Sequence, residues 1–385
     1  MRNRKDNSVI LSVSEESFFT FKKRITTLLL ILSILLTPAL STAESSYDLD
    51  YFLYIKDMIQ DNYFYEPTEE ELMEGAIKGL FQALDKNSEY YTKEEFQSLF
   101  EDVTGDFVGI GVYITEEKGS IKITNPIKGS PAHRAGLKPG DKLISVDGQD
   151  IKGKSLDEVT TLIKGKAGTS VRIGISREGR KIYMNIRRAE IKTNPIEYQI
   201  LEDGIGYIKI SQFNQNTYEN LLPVLKRLDK EKISSIIVDL RGNPGGILGE
   251  VVETLNLFIP EGPIVHIKYG KDAEQTYYST LKKPKYKLAV LVNGNSASAS
   301  EIFAGAVQDT KVGTIIGVPT YGKGTVQQII PLPLGDVMKL TIAEYLTPNR
   351  RNINGKGIQP DIIVKNKNRT KDIQLERAVE VLRNL

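Results

Sequence analysis

The sequence predicts a multidomain α+β protein with three structural regions. Residues 47–104 repeat apolar side chains at three- and four-residue steps, which is typical of amphipathic helices. Residues 105–190 contain short, closely spaced strand patterns, and residues 191–385 alternate strand and helix patterns. Alternating strands and helices indicate an α/β sheet covered by helices. A chain of 385 residues is long enough for two or three such domains.

The N-terminal region, residues 1–43, has the composition of a targeting segment. A basic stretch ends at Arg24, residues 25–40 carry no charge, and residues 41–43 supply the small side chains that a signal peptidase recognises. The uncharged run of 16 residues is shorter than the ~20 needed to span a bilayer. We therefore predict a signal peptide cleaved near Ala43 and an exported protein of the periplasm or cell envelope. The alternative is an uncleaved membrane anchor, because Glu15 and Glu16 depart from the usual pattern.

Residues 44–104 form a predicted helical N-terminal arm. Leu72, Ala76 and Leu80 recur at four-residue steps, as expected for one face of a helix. Pro67 precedes this helix, and residues 69–71 place three glutamates in its first turn, where acidic side chains interact favourably with the helix dipole. No pattern of catalytic residues occurs in this arm.

Residues 105–190 form a second predicted domain, rich in strands. Five runs favour extended chain and two favour helix: Phe107–Ile114, Ser120–Thr124, Lys142–Val146, Ser170–Ser176 and Lys181–Ile186, with helices at Ala132–Ala135 and Leu156–Ile163. The segment Gly109-Ile110-Gly111-Val112 is glycine-containing. Backbone N–H groups in such a loop suit an anion, and a peptide can add as a strand to a neighbouring sheet edge.

Residues 191–385 form the predicted α/β core, after a linker at residues 191–200 that contains Pro195. Strand and helix patterns then follow one another: strands at Gly206–Ser211 and Ile233–Leu240, and helices at Thr217–Leu228, Leu248–Phe258 and Lys371–Leu382. The turn at residues 242–246 is rich in glycine. Its amide groups could face a developing oxyanion, or the turn could simply need glycine to be tight.

A serine-rich turn stands between a predicted strand and a predicted helix. The apolar run 287–292 indicates a buried strand, and Ser296, Ser298 and Ser300 follow it at the start of a helix. Ligand sites in α/β sheets gather at the carboxyl ends of strands. One of the three serines is therefore a candidate nucleophile. Ser298 with Glu301 three residues later also reads as a capping box, which occurs at many helix starts without catalysis.

A serine nucleophile needs a base, and lysine is the better candidate here. The chain has only two histidines: His133 lies in a predicted turn, and His266 lies in a short strand pattern far from any acidic motif, so a Ser-His-Asp triad has little support. Lys323 lies between two glycines ahead of an extended segment. If the strand already begins at Lys323, its side chain shares a face with Gln327. To act as a base, Lys323 needs a pKa lowered by roughly 3 units from about 10.4, through burial and nearby dipoles.

Composition excludes several other classes of function. The formal net charge is only +2, with 51 basic and 49 acidic residues and no basic block with aromatic residues among it. This argues against nucleic acid as the main partner. The absence of cysteine excludes cysteine nucleophiles, disulfides and thiolate metal sites. With two scattered histidines, a catalytic zinc site is not expected, and we predict no metal and no cofactor.

Two segments of the core resemble the C-terminal processing peptidases. They are Val292–Ile302, which contains the three serines, and Tyr321–Gln327, which contains Lys323. Members of this family are serine endopeptidases with a Ser-Lys dyad and a Clp-protease/crotonase-like core. The resemblance implies that Ser298 is the nucleophile, Lys323 the base and Gln327 its orienter. It also implies an oxyanion hole made by the amide of Ala299 and one amide of the 242–246 turn, for which we choose Gly245.

The strand-rich region resembles a PDZ domain. The resemblance rests on residues 136–141 and residues 144–148, and it covers residues 105–190 as a domain. It implies that Gly109, Ile110, Gly111 and Val112 hold the terminal carboxylate of a peptide. In the resembling peptidases the helical arm makes dimer contacts, so a homodimer is expected. The expected partners are therefore protein substrates recognised by their C-termini, and a second copy of the chain.

Two other classes of protein share part of this pattern. Gly317 to Lys323 nearly matches a phosphate-binding P-loop, but that motif needs Ser or Thr after the lysine and a helix beginning there. Position 324 is glycine and the following residues favour a strand, so we reject it. A non-catalytic PDZ scaffold of the cell envelope shares every feature except the need for both Ser298 and Lys323. We predict an exported serine endopeptidase.

Overall fold

The computed structural model describes residues 47–202, 204–271, 273–366 and 371–384. The predicted signal peptide, residues 1–43, lies outside the described residues. Within the described ranges, no helix is both long enough and apolar enough to cross a membrane. The chain divides after Ala76 into two compact units.

The N-terminal region is helical, as predicted. Its elements are helix α1 (Leu49–Asn62), helix α2 (Glu69–Gln82), strand β1 (Glu89–Tyr91) and helix α3 (Lys93–Thr104). Asp48 caps α1 by accepting a hydrogen bond from the Tyr51 amide at 2.9 Å. None of the side chains of α1 is buried, although many of them are apolar.

The strand-rich region contains the predicted strands and helices. They are β2 (Asp106–Gly109), β3 (Val112–Glu117), β4 (Ser120–Pro126), α4 (Pro131–Arg134), β5 (Lys142–Val146), β6 (Gln149–Asp150), α5 (Leu156–Ile163), β7 (Ser170–Arg177), β8 (Arg180–Arg187) and β9 (Ala189–Lys192). One sheet has the order β3-β4-β5-β7-β8, with β6 on β5, and β2 pairs separately with β9. Strand β3 is therefore an edge strand of this sheet.

The core alternates strands and helices. Its elements are β10 (Ile196–Ile200), β11 (Gly206–Ile210), α6 (Thr217–Lys230), β12 (Ser235–Asp239), α7 (Leu248–Leu255), β13 (Gly262–Tyr269), β14 (Ala273–Ser279), β15 (Lys287–Val292), α8 (Ala299–Asp309), β16 (Gly313–Gly317), β17 (Thr325–Pro331), β18 (Val337–Leu346), β19 (Ile362–Ile363) and α9 (Ile373–Arg383). The central sheet has the order β10-β11-β12-β15-β16-β19, and only β10 runs antiparallel to its neighbour.

Both faces of this central sheet are covered, which explains its continuous apolar strands. Val238 and Val290 point to a core that also contains residues of α6, α7 and α8. Ile237 and Leu291 point to the opposite face, where residues of α9 cover them. A second, antiparallel sheet has the order β1-β18-β13-β14, with β17 paired to β18. The architecture confirms the predicted fold class.

Three local expectations differ from the structure. The predicted linker at residues 191–200 is wrong, because β9 and β10 occupy it and only the residues around Pro195 separate them. The predicted run Phe107–Ile114 is divided into β2 and β3 at Gly111, whose φ of +77° is unfavourable for other residues. Strand β17 begins at Thr325, so Lys323 lies in the preceding loop.

Candidate active site

Two turns lie side by side at the carboxyl ends of β12 and β15. These strands are parallel neighbours, so the turns that follow them leave from the same edge of the sheet. The Gly242 amide donates a hydrogen bond to Asn293 Oδ1 at 3.0 Å. The Ala297 amide donates to the carbonyl oxygen of Asn243 at 3.1 Å. The glycine-rich turn of residues 242–246 is thereby fixed against the serine-rich turn.

Of the three serines, Ser298 alone is partly exposed. Ser296 and Ser300 are fully buried, and their hydroxyl groups donate to main-chain carbonyls, that of Leu240 at 2.7 Å and that of Asn243 at 3.0 Å. Ser298 stands directly before α8 with φ 54° and ψ −115°, a conformation that side chains other than glycine adopt at a cost. A serine held on such a strand-to-helix turn presents its hydroxyl outward. The arrangement favours Ser298 as the nucleophile, which stays a prediction.

Gly245 lies against the backbone of this turn. A β-carbon at Gly245 would come within 2.7 Å of the Ala297 carbonyl oxygen, 2.8 Å of Ser298 Cβ and 2.9 Å of the Ala299 nitrogen, so only glycine fits. The amide of Gly245 donates to Asn243 Oδ1 at 2.8 Å. Its predicted role as an oxyanion donor would require that hydrogen bond to open.

The amide of Ala299 is the better-placed oxyanion donor. As the first residue of α8, it has no acceptor within its own helix. Across the described ranges, no other group accepts a hydrogen bond from it either. A helix N-terminus with a free N–H favours negative charge. The predicted role of Ala299 is therefore compatible with the geometry.

Lys323 lies in the loop before β17, between Gly322 and Gly324. Burial lowers the pKa of its amine, and the nearby positive charge of Lys339 lowers that pKa further. Among the described residues, the Lys323 amine forms no hydrogen bond or ion pair, and in particular none with the Ser298 hydroxyl. The structure thus holds both dyad candidates near the same turn without closing the contact between them.

Glu301 connects the two candidate residues. Its carboxylate is fully buried and accepts four hydrogen bonds. Oε2 accepts from the amides of Ser298 and Lys323, each at 2.9 Å. Oε1 accepts from the Gly322 amide at 2.7 Å and from the Thr320 hydroxyl at 2.5 Å. Burial raises the pKa of Glu301, and these hydrogen bonds oppose that rise.

Tyr345 makes a second connection between the same two residues. Its side chain is 1% exposed, and its hydroxyl lies within hydrogen-bond distance of the carbonyl oxygens of Ser298, at 3.1 Å, and of Lys323. Burial raises the pKa of this phenol well above its ordinary value, so the hydroxyl remains a donor. Sequence reasoning missed both connecting residues. Glu301 was visible only as a capping residue, and no motif marked Tyr345, which comes from β18.

Gln327 does not contact Lys323 in this structure. Its amide nitrogen donates to the hydroxyl groups of Thr325, at 2.9 Å, and Thr341, at 3.1 Å. The loop before β1 binds the same hydroxyls: Asn87 Nδ2 donates to Thr325 at 3.2 Å, and Thr341 donates to Asp85 at 3.1 Å. The predicted role of Gln327 as an orienter stays a prediction.

An open depression of about 470 Å³ lies beside these turns. Its wall contains residues from the glycine-rich turn, the serine-rich turn, the Lys323 loop and the loop before β1: Gly242, Pro244, Asn295, Ala297, Tyr321, Lys323 and Asn87. Polar main chain and an amine at the edge of a depression are suited to an extended peptide. The loop before β1 was not part of the predicted site.

Neither histidine is placed to serve Ser298. His133 is exposed on α4, and His266 lies on β13, where its ring nitrogens contact Thr276 Oγ1 at 2.8 Å and the Pro348 carbonyl oxygen at 3.2 Å. Within the described residues there is also no cluster of acidic and histidine side chains that could hold a metal ion.

The predicted carboxylate loop lies at the start of the edge strand β3. The carbonyl oxygens of Ile110 and Gly111 accept hydrogen bonds from Ala132 and Ile127 at 2.8 and 2.9 Å, which fixes the loop. In the part of the chain that the structure describes, the amides of Ile110 and Gly111 have no acceptor. Two free amides next to Val112, where an open strand edge begins, suit a peptide carboxylate.

The sequence of this chain is similar to known proteins over both the α/β core and the strand-rich domain. Residues 204–364 match the model of peptidase family S41, and residues 122–177 match the model of the PDZ domain. A Staphylococcus haemolyticus protein named "Probable CtpA-like serine protease" is 39% identical over 325 residues, covering 83% of this chain and 65% of the relative. A Staphylococcus aureus protein of the same name is 39% identical over 312 residues, covering 80% and 63%. The chain thus spans less than two thirds of the length of these curated relatives.

A solved structure shares the overall fold. The structure of a photosystem II D1 C-terminal processing protease superposes with a TM-score of 0.50 at 26% identity, over 86% of this chain and 90% of that chain. Fold and site together define a PDZ-containing serine peptidase architecture. Residues 204–364 are similar to peptidase family S41, and residues 122–177 are similar to a PDZ domain. The resemblance inferred from the sequence is confirmed.

Proposed function

We propose that this chain is a serine endopeptidase that uses a Ser298–Lys323 dyad to cleave proteins near, or degrade them from, their C-termini. The observation that carries the proposal is the Glu301 carboxylate, which accepts hydrogen bonds from the amides of both Ser298 and Lys323. The amide of Ala299, which has no acceptor in the described ranges, lies next to Ser298. The names of the similar proteins, a CtpA-like serine protease and a C-terminal processing protease, support the same reaction class.

In the proposed reaction the neutral amine of Lys323 removes the proton from the Ser298 hydroxyl. The Ser298 oxygen then attacks the scissile carbonyl carbon and forms a covalent acyl-enzyme after the peptide C–N bond breaks. The Lys323 ammonium returns its proton to the leaving amine. In the second half, water attacks the acyl carbon while the same amine takes its proton, the ester bond to Ser298 breaks, and the Ser298 oxygen regains a proton from the ammonium. The Lys323 side chain has to approach the hydroxyl for the first transfer.

The tetrahedral intermediate carries a negative oxygen that needs donors. The free amide of Ala299 supplies one, since it opens α8 and has no competing acceptor in the described ranges. Gly245 supplies the second if its amide leaves Asn243. Removing one such donor typically slows catalysis by about 10²–10³-fold. The glycine-rich turn would thus have a catalytic role.

Substrate selection is assigned to the PDZ domain. The free amides of Ile110 and Gly111 would bind the terminal carboxylate of a substrate, and the following residues would pair with the open edge of β3. Gln327 would orient the Lys323 amine once the substrate is bound, which requires it to leave Thr325 or Thr341.

Export and dimerisation are further parts of the proposal. The composition of residues 1–43 supports export to the periplasm or cell envelope, with a membrane anchor as the alternative. The exposed apolar side chains of α1 support a homodimer through the N-terminal arm. Fractionation of cells would test export. The molar mass of the purified protein with and without residues 47–62 would test dimerisation.

A non-catalytic PDZ scaffold is the alternative function. Incubation of the purified chain with an unfolded protein distinguishes the two, because only a peptidase produces fragments. The proposal expects fragments from the wild type and none from Ser298→Ala. Intact substrate after prolonged incubation with the wild type would favour the scaffold.

A further inference from the structure

Arg241 lies between β12 and the glycine-rich turn, and hydrogen bonds fix its side chain on every side. Its Nε donates to both carboxylate oxygens of Asp239 at 3.0 Å, and its Nη2 donates to Asp239 at 2.6 Å and to Asp372 at 2.8 Å. Its Nη1 donates to Asp372 at 2.7 Å and to Gln374 at 3.1 Å. A guanidinium has five N–H groups, and each has an acceptor here. The side chain is only 16% exposed.

Two of these acceptors belong to α9. Asp372 is the N-cap of this helix, where its Oδ1 also accepts the Leu375 amide at 3.1 Å. Gln374 is buried, and its amide nitrogen donates to the Val364 carbonyl at 2.7 Å. The apolar face of α9 packs on the central sheet. The first turn of α9 and the Arg241 guanidinium therefore form one rigid unit.

The residues after Arg241 connect it to the candidate active site. Gly242 is bound to Asn293, and the carbonyl oxygen of Asn243 accepts both the Ala297 amide and the Ser300 hydroxyl. The next residues place Gly245 in contact with Ser298. A shift of Arg241 would thus alter the position of the glycine-rich turn relative to the serine-rich turn.

We propose that Asp372 is a positioning residue of the peptidase reaction, which fixes the glycine-rich turn against Ser298 and Ala299 through the Arg241 guanidinium. Helix α9 is then part of the active-site scaffold. A bidentate Arg–carboxylate pair suits this purpose, because it fixes orientation as well as distance. The inference rests on the proposed function and adds a residue that no motif of the sequence marked.

The test is the Asp372→Asn variant of the full chain. Asparagine keeps one oxygen for the Leu375 amide but removes the charge and the second acceptor for Arg241. We expect kcat for an unstructured peptide to fall by about 10-fold or more, because small misplacements at a reacting centre are costly. KM should change less than about twofold, since the PDZ loop and the edge of β3, to which substrate selection is assigned, lie outside the glycine-rich turn. Asp372→Glu, which restores the carboxylate, should recover a large part of the loss.

Glu380→Gln is the matched control. It removes the same charge from the same helix, but the one partner of Glu380 among the described residues is Arg377, at 2.6 Å on the surface. We expect wild-type kcat for this variant. A peptide aldehyde forms a hemiacetal with the Ser298 oxygen, and this adduct resembles the tetrahedral intermediate, so the aldehyde should bind Asp372→Asn more weakly in proportion to kcat. A merely structural role would lower the melting temperature without changing this affinity.

The outcomes separate the inference from the proposed function. If the wild type cleaves and Ser298→Ala does not, the peptidase function holds, and wild-type kcat in folded Asp372→Asn and Asp372→Glu would overturn the inference alone. If the wild type does not cleave, the proposed function fails first. Should Asp372→Asn not fold, kcat per folded molecule of Asp372→Glu decides: an unchanged value contradicts the inference and an intermediate loss supports it.

Discussion

The carboxylate of Glu301 accepts a hydrogen bond from the amide of Ser298 at 2.9 Å. The same oxygen accepts the Lys323 amide, so one buried group fixes the backbone of both dyad candidates. Burying a carboxylate is costly unless hydrogen bonds satisfy it, and here four of them do. The structure therefore fixes the backbones of both residues, whereas the Lys323 amine has no hydrogen-bond partner among the described residues.

This arrangement predicts a large effect of Glu301→Gln. Glutamine has nearly the same shape, but its NH₂ group cannot accept the two hydrogen bonds that one carboxylate oxygen now accepts. We expect a loss of about 1–3 kcal/mol in the free energy of unfolding. We also expect kcat to fall by about 10-fold or more through misplacement of the dyad. Denaturant unfolding and steady-state kinetics measure the two effects, and wild-type kcat would contradict the proposed link.

The backbone of Ser298 predicts an unusual stability effect. Its φ of 54° favours glycine, so Ser298→Gly should be more stable than Ser298→Ala by about 1 kcal/mol, while both are inactive. Thermal unfolding of the two variants measures the difference. Ser300 is the control, because it lies within α8. There glycine should be less stable than alanine by about 1 kcal/mol. Equal stabilities at position 298 would refute the strained turn.

The dyad predicts non-additive kinetics. Ser298→Ala and Lys323→Ala should each lower kcat by about 10³-fold or more, and the double variant should be little worse, because the two groups act as a unit. Ser296→Ala should retain activity, since its buried hydroxyl holds a main-chain carbonyl and its loss costs about 1 kcal/mol of stability. Wild-type cleavage by Ser298→Ala would show that the nucleophile is another residue.

The pH profile tests the role of Lys323. The neutral amine is the base, so kcat/KM should rise as pH rises through the pKa of Lys323. Burial and the charge of Lys339 lower that pKa, whereas Asp85, Glu301 and Glu89 act in the opposite direction. The rise should therefore occur at lower pH than for an ordinary lysine.

Lys339→Gln should shift the same profile to higher pH. Lys339 is held by Glu89 at 2.6 Å, and removing its positive charge removes one cause of the lowered pKa of Lys323. Lys282→Gln is the matched control, since Lys282 also pairs with a glutamate, Glu261, at 2.6 Å on the surface. Superimposable profiles for Lys339→Gln and the wild type would contradict this electrostatic contribution.

The PDZ loop predicts recognition of a free C-terminus. One peptide with a free and with an amidated terminus should differ in binding by about 1.5–3 kcal/mol, or roughly 10- to 100-fold, the range for a hydrogen bond to a charged group. The comparison is kcat/KM for the two peptides. Equal values would mean that Ile110 and Gly111 do not bind the carboxylate and that the domain acts as a gate or spacer.

The sequence by itself determined the elements whose signals are local. The strand before Ser298, the helix after it and α5 follow from apolar periodicity, and the bounds of the strand and of α5 are the predicted ones. The serine and lysine motifs pointed to the site because the chemistry of each is carried by a few adjacent residues. The error at residues 191–200 arose because Pro195 reads as a break, although it only separates two strands.

Tertiary structure alone decided which groups surround the candidate dyad. Tyr345 lies 47 positions from Ser298 and reaches it because β18 crosses the site, which no local pattern records. The exposure of Ser298 and the burial of Ser296 and Ser300 depend on how two turns pack together. Periodicity reports only which face of an element is apolar. Contacts between distant segments are selected by the burial and hydrogen bonding of the whole chain, so the partner of each polar group became visible only in three dimensions.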